Sequence, residues 1–195
     1  MGTNPAKKAF SHLKDILIGN NIYQMDLMNS YKGADATSFS AMLAQVANDI
    51  NIDPEGLLFV MYKESGLNPA AINSGSGATG LIQFMPSTAQ ALGTSTGALA
   101  AMTGTDQLIY VQKYLENVQA TYGKDSMPDV ASIYLAIFYP RALAEGLDYV
   151  LGSEISDAYA AEVAKENPGF DIGSKGYITK GDMYTYIAKN ALNIS

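Results

Sequence analysis

The stretch that most constrains this chain is Asp53-Pro54-Glu55-Gly56, an apolar run from Leu57 to Tyr62, then Lys63-Glu64-Ser65-Gly66. The run alone fits a buried strand or a buried helix. The residues ahead of it decide for helix: Asp53 can cap free N–H groups, Pro54 fits the first helical position, and Glu55 suits the positive end of the dipole. A helix that is apolar all round belongs in a core. Counting back from Glu64 by three, four and seven residues gives Met61, Val60 and Leu57, so the carboxylate shares their face. Glu64 is then either a solvated charge where the helix stops at Gly66, or a partly desolvated carboxyl that holds its proton near neutral pH. The second state is the one a general acid needs.

The residues that follow favour the acid. Asn68 to Gly80 is rich in Asn, Ser and Gly, with Asn73-Ser74-Gly75-Ser76-Gly77 at its centre. Such a loop lets backbone approach a polymeric ligand. Leu81 to Met85 is apolar except for Gln83, an isolated amide that is either a satisfied core residue or a group aimed into a cleft.

Glu64-Ser65-Gly66-Leu67-Asn68-Pro69-Ala70-Ala71, then Asn73, then Gly77 through Gly80-Leu81-Ile82-Gln83-Phe84-Met85-Pro86 to Ala89, resembles the soluble lytic transglycosylase family and its goose-type lysozyme relatives. The resemblance is strong over about Asp53–Gly93, looser to about Tyr139 and thin elsewhere. It implies a lysozyme-like enzyme that cleaves the β-1,4 bond between N-acetylmuramic acid and N-acetylglucosamine in peptidoglycan glycan strands. Glu64 would protonate the glycosidic oxygen while the substrate's N-acetyl group stabilises the cationic carbon. It would then take a proton from the sugar's 6-hydroxyl, leaving a 1,6-anhydro end. Gln83 would orient the acetamido group or a neighbouring hydroxyl, and Ser65 would hydrogen-bond near the reacting centre. Asn73, Phe84 and Tyr139 complete the expected substrate-binding set. The family's third motif, a Tyr-Asn pair facing the glutamate, is missing: Tyr134-Leu135-Ala136-Ile137-Phe138-Tyr139-Pro140 keeps only the Leu-Ala step and an aromatic. Tyr139 is therefore either the cleft tyrosine or a core aromatic ahead of a helix break.

That pattern, with Asn167-Pro168-Gly169-Phe170-Asp171, looks like phage tail-associated wall-degrading domains. It implies a location in the virion or in the host periplasm and cell wall, with phage tail proteins as further partners. Met1–Phe10 lacks the apolar core of a signal peptide, and no stretch approaches a transmembrane span, so membrane insertion is not expected.

Among 195 residues, 48% are hydrophobic and 16% charged, which excludes a disordered chain and allows a proper core. The net charge is −7 and no basic cluster exceeds Lys7-Lys8, so nucleic acid is not an expected partner. An acidic chain also gains no general attraction to anionic wall polymers, which leaves recognition to a shaped cleft. There is no cysteine, and the single histidine, His12, has no second His for a triad or a zinc site and reads as a surface residue. No cofactor is expected.

Asp171 to Asp182 looks like an EF-hand calcium loop, with Asp at position one, Gly176 at six, Ile178 at eight and Asp at twelve. Positions three and five should supply oxygens but are Gly173 and Lys175, so the expectation is a vestigial loop without calcium that starts the last helix. No metal site is expected.

Helical spacing places segments at Phe10–Leu17, Asn21–Tyr31, Phe39–Ile50, Ser87–Leu92, Gly97–Met102, Asp106–Tyr122, Val130–Phe138, Arg141–Leu151, Ser156–Lys165 and Lys180–Leu192. The clearest carries Leu108, Val111, Leu115, Val118 and Tyr122 on one stripe. The expected fold is an all-α, lysozyme-like domain of eight to ten helices with at most a short β-hairpin near Ser74–Gly80. It would be a single domain over residues 1–195, with a core motif region at 53–141 and a C-terminal helical extension holding the loop at 171–182.

A retaining glycosidase needs two carboxyls about 5 Å apart, and an inverting one a water-wide gap. Glu55 lies nine residues before Glu64, about 13 Å along the helix axis, too far for the first role. Asp106, Asp129 and Asp148 cannot be placed from sequence. A lysozyme-type hydrolase using the same Glu64, and a non-catalytic wall-binding virion component, both remain open at this stage.

Overall fold

Helices account for nearly all the regular structure in the computed structural model, which describes residues 27–191. They are α1 (Ala36–Asp49), α2 (Pro54–Ser65), α3 (Pro86–Ala91), α4 (Thr96–Ala101), α5 (Gly104–Tyr122), α6 (Val130–Phe138), the 3-10 helix η1 (Pro140–Ala144), α7 (Asp157–Glu166) and α8 (Lys180–Ala191). Among the described residues β structure is confined to isolated bridges, Ile72 with Thr79, Thr79 with Phe84 and Val150 with Thr179. The fold is all-α, as the sequence led us to expect. The helix expected at Phe10–Leu17, His12 with it, and the beginning of the one at Asn21–Tyr31 lie outside the described residues. No described helix is long and apolar enough to cross a membrane.

The described residues fall into two compact units, 27–128 and 129–191. In the first, α2 is the central element. Asp53 caps it by accepting from Glu55 N (3.2 Å) and Gly56 N (3.0 Å), and Gly66 ends it in the left-handed region at φ 61°. Leu57, Leu58, Phe59, Val60 and Met61 are all buried, each worth about 1.5–3 kcal/mol of removed apolar surface. Phe39, Leu43 and Val46 of α1 and Leu108, Val111 and Leu115 of α5 are buried as well. Both α2 and α5 pack on α1.

Asp35 precedes α1 yet serves α5. It makes no side-chain cap to α1; instead its Oδ2 accepts from Thr105 N (3.0 Å) and Thr105 Oγ1 (2.5 Å), and its Oδ1 from Tyr31 Oη (2.6 Å). Desolvation pushes the Asp35 carboxyl up, but the hydrogen bonds from Thr105 and Tyr31 together outweigh it and lower the pKa to about 2. A depressed carboxylate contributes stability above its unfolded pKa, lost as pH falls through the folded one. Asp35→Asn should therefore melt below wild type at pH 7, and the gap should close between pH 4 and 2. A gap that is constant with pH would assign Asp35 a purely steric role.

In the second unit Asp129 and Ser132 form a reciprocal cap on α6: Asp129 Oδ1 accepts from Ser132 N (2.9 Å), and Ser132 Oγ accepts from Asp129 N (3.1 Å). α6 packs on η1 and α8. Phe170 joins the core edge-on to Phe138 (5.1 Å between centroids) and Tyr186 (4.5 Å). The expected helix at Arg141–Leu151 does not form. After η1 the chain runs out irregularly because its backbone is bonded elsewhere: Leu151 N donates to Ile178 O (2.9 Å), while Tyr149 O accepts from Lys180 N (2.9 Å) and Leu147 O from Gly181 N (2.8 Å). The half-exposed Pro140, with no N–H of its own, starts the tight turn.

Candidate active site

Glu64 lies in the last turn of α2 and is half-buried, continuous with the buried face of Leu57, Val60 and Met61. The next residue ties this helix end to the loop that follows. Ser65 Oγ lies 2.9 Å from Met61 O and 3.0 Å from Leu81 O and donates to them. The hydroxyl thus joins the residue after Glu64 to the Gly80–Gln83 turn. It acts as a strut between two backbone segments.

The turn is closed by reciprocal bonds between Thr79 and Phe84, N to O at 3.0 and 2.8 Å, with Gln83 N donating to Gly80 O (3.1 Å) inside it. Gly80 N donates to Ala71 O (2.8 Å), which fastens the turn to the loop after α2. Phe84 is buried and meets Tyr114 edge-on at 6.5 Å, so its ring anchors the turn from below. Gln83 is half-buried with φ 53°, and its Nε2 donates to Gly80 O (3.0 Å) and, more weakly, towards Ala71 O (3.5 Å). Among the described residues none donates to its Oε1. Asn73 is exposed, with Oδ1 accepting from Gly75 N (2.9 Å) and Ser76 N (3.1 Å), which shapes the 73–77 loop.

Gln107, which we did not single out from sequence, organises this region. It is fully buried on α5; its Oε1 accepts from Leu81 N (2.9 Å), and its Nε2 donates to Pro69 O (2.5 Å) and Leu99 O (2.7 Å). One amide therefore holds the post-α2 loop, the Gly80–Gln83 turn and the end of α4. It also explains Gly80, which has φ +82° and whose Cβ, if it had one, would collide with the Gln107 amide. The signal was in the sequence: Gln107 sits four residues before Val111, on the same buried stripe, where an amide needs partners.

Two of the aspartates whose position relative to Glu64 could not be read from sequence are engaged at helix starts. Asp106 accepts from Thr103 Oγ1 (2.8 Å) at the start of α5, and Asp129 belongs to the α6 cap. In the first unit, burial pushes the Glu55 carboxyl up, helped by the neighbouring charge of Asp53, at the opposite end of α2 from Glu64.

Tyr139 belongs to the second unit. It is half-buried at the end of α6, and its phenol donates to Glu154 Oε1 (2.7 Å), while Tyr149 donates to Glu154 Oε2. Burial first, then the Glu154 hydrogen bond, pushes the Tyr139 phenol well above the ordinary tyrosine value, and the same two causes push Tyr149 up to about 12. The two phenols in turn hold the Glu154 carboxyl down, Tyr149 most. Glu154 is a second group that we did not single out from sequence, since nothing local marks it.

The protein-family comparison decides what the motif belongs to: residues 42–137 match the transglycosylase SLT domain. This part of the chain belongs to the transglycosylase SLT family. No solved structure matches the chain. The SLT domain brings the general activity of its family, lytic cleavage of peptidoglycan, with peptidoglycan as the substrate class. The match spans most of α1 through α6 and ends two residues before Tyr139.

Proposed function

We propose that this SLT domain cleaves the β-1,4 bond between N-acetylmuramic acid and N-acetylglucosamine as a lytic transglycosylase, with Glu64 as acid and then base. The observation that carries this reading is the Ser65 strut to Leu81 O, which places the end of α2 beside the Gly80–Gln83 turn. Glu64 protonates the glycosidic oxygen, the C1–O bond breaks, and the substrate's own acetamido group shares the positive charge at C1. Glu64 then takes the proton of the 6-hydroxyl as that oxygen closes on C1. A single carboxyl suffices for this sequence. Asp106 is engaged at the head of α5, and Glu55 is about 13 Å away along the α2 axis.

Gln83 presents Oε1 as an acceptor for the acetamido N–H, and its Nε2 bond to Gly80 O holds that oxygen in place. Ser65 positions Glu64 through the backbone. Asn73 shapes the exposed rim, and Phe84 supports the turn from the core. Tyr139, in the second unit, has its hydrogen engaged by Glu154, and its role as a substrate contact rests on the Tyr134–Pro140 string alone. The virion location and tail partners rest on the Tyr134–Pro140 and Asn167–Asp171 patterns alone.

Digestion of purified peptidoglycan, with the soluble products read by mass spectrometry, tests the reaction. Anhydro-muramic ends are the expected result. Reducing ends would convert the assignment to a hydrolase, and undigested sacculi would remove the enzyme reading. Gln83→Ala provides a finer test. It removes the bond to Gly80 O and the weak one to Ala71 O from a turn that other contacts still close, so the melting temperature should fall by no more than about 2–4 °C. Turnover should fall at least tenfold, since an orienting bond matters most in the dry, occupied site. Normal turnover would exclude Gln83 from substrate contact.

A further inference from the structure

We propose that the loop at 171–182 carries its own cation: the Lys175 ammonium occupies the role that a metal ion plays in an EF-hand. The turn at the sixth position of such a loop is kept, although Gly173 at the third has φ +88°. Gly176, at the sixth position, has φ +79°, as the sharp turn there requires. Ile178, at the eighth, is fully buried, and Thr179 bridges to Val150. The ligands, however, do not fit calcium. Gly173 has no side chain at the third position, and Lys175 brings a positive charge to the fifth. Among the described residues no group of three or more acidic, His or Cys side chains is placed to hold a metal ion.

What remains of the acidic set is already satisfied from within. Asp182, at the twelfth position, accepts on Oδ2 from Lys175 Nζ (2.5 Å), Thr179 N (2.7 Å) and Thr179 Oγ1 (2.8 Å). Asp171, at the first, accepts from Lys175 N on one oxygen and Gly176 N on the other, both at 2.8 Å. The Lys175–Asp182 pair is partly shielded, with side-chain exposures of 29% and 11%, so solvent screens it less than a surface ion pair. The ammonium also lies 4.6 Å from the centre of the Tyr177 ring, which adds a cation–π contact to the lock.

A loop of oxygens closed around a divalent ion is stable only at sufficient ion concentration. One closed around a covalently attached ammonium is closed at any calcium concentration. The consequence reaches the segment paired with it: Ile178 O and Lys180 N hold Leu151 N and Tyr149 O, so the loop fixes the stretch that carries Tyr149. Lys180 Nζ adds bonds to Leu143 O (3.2 Å) and Glu145 O (2.8 Å).

The test uses the full chain and four proteins. Wild type should melt at the same temperature in millimolar calcium and in EDTA, and a gain of several degrees in calcium would overturn the proposal. Lys175→Met, which keeps the stem and removes the charge, should melt about 3–8 °C lower, while Lys175→Arg should recover at least half of that loss. A Lys175→Met protein that melts with wild type would show that the ammonium does not hold the loop. Gly173→Asp combined with Lys175→Asp should melt below wild type in EDTA, both from the lost ammonium and from a side chain at φ +88°, recover several degrees in millimolar calcium, and bind one calcium ion by titration calorimetry. If that double variant is folded and indifferent to calcium, the lysine does not stand where an ion would.

Discussion

Glu64→Gln is expected to leave the melting temperature within about 2 °C of wild type while abolishing release of muropeptides from purified peptidoglycan. The amide has nearly the shape of the carboxyl and keeps its capacity to accept hydrogen bonds, and the position is half-buried in the last turn of α2. What the substitution removes is a transferable proton and, after bond cleavage, the base that recovers it. Acid–base catalysis by one positioned group contributes about 10²–10⁴-fold, and in this scheme Glu64 performs both transfers, so the loss should lie at or beyond the upper end. Glu55→Gln is the matched control: it is a carboxylate on the same helix at its opposite end, and it should retain activity within a few-fold. Lysis by Glu64→Gln within tenfold of wild type would sink the single-carboxylate mechanism. Equal loss in both variants would point to helix stability as the shared cause.

The sequence was most readable where structure is local. α2 carries its own start in Asp53-Pro54-Glu55 and its own stop in Gly66, and α6 has its cap, Asp129, in the residue just before it, so both could be placed without knowing any tertiary partner. α5 could be read from its stripe, and only its start shifted, from Asp106 to Gly104, where Thr103 caps it. Arg141–Leu151 was misread as helix because its determinants lie about thirty residues downstream, where Ile178, Lys180 and Gly181 take up its backbone groups. A helical spacing of apolar residues cannot report that competition. The candidate site divides in the same way. The Glu64 and Gly80–Phe84 strings could be read as contiguous motifs, but the contacts that hold them are not contiguous. Ser65 reaches sixteen residues forward to Leu81, Gln107 reaches thirty-eight back to Pro69, and Tyr139 reaches fifteen forward to Glu154. A buried amide on an apolar stripe is visible in sequence as an anomaly, yet its partners are not.

That anomaly predicts the largest structural effect in the first unit. Gln107→Leu nearly preserves side-chain volume while deleting three hydrogen bonds, to Leu81 N, Pro69 O and Leu99 O. The site is fully buried, so the three backbone groups are left without replacement by bulk water. Each buried group stranded in this way costs about 1–3 kcal/mol, and for a chain of this size 1 kcal/mol corresponds to about 2–4 °C. The melting temperature should therefore fall by more than about 6 °C, and by far more if the losses add. Turnover per folded molecule, measured well below the transition, should also fall at least tenfold. The same amide holds the Gly80–Gln83 turn against the loop that leaves Glu64, and a shift of about 1 Å in such a turn is enough to misplace a positioned substrate. Gly80→Ala approaches the same contact from the other side. It forces a Cβ into the Gln107 amide at a left-handed backbone position, and it should lower stability and turnover together. The combined variant is the decisive measurement, because residues that share one contact are not additive. If Gln107 and Gly80 form a single joint, Gly80→Ala should cost much less in the Gln107→Leu background than in wild type. Full additivity would mean that the two act separately and that Gln107 does not organise the turn.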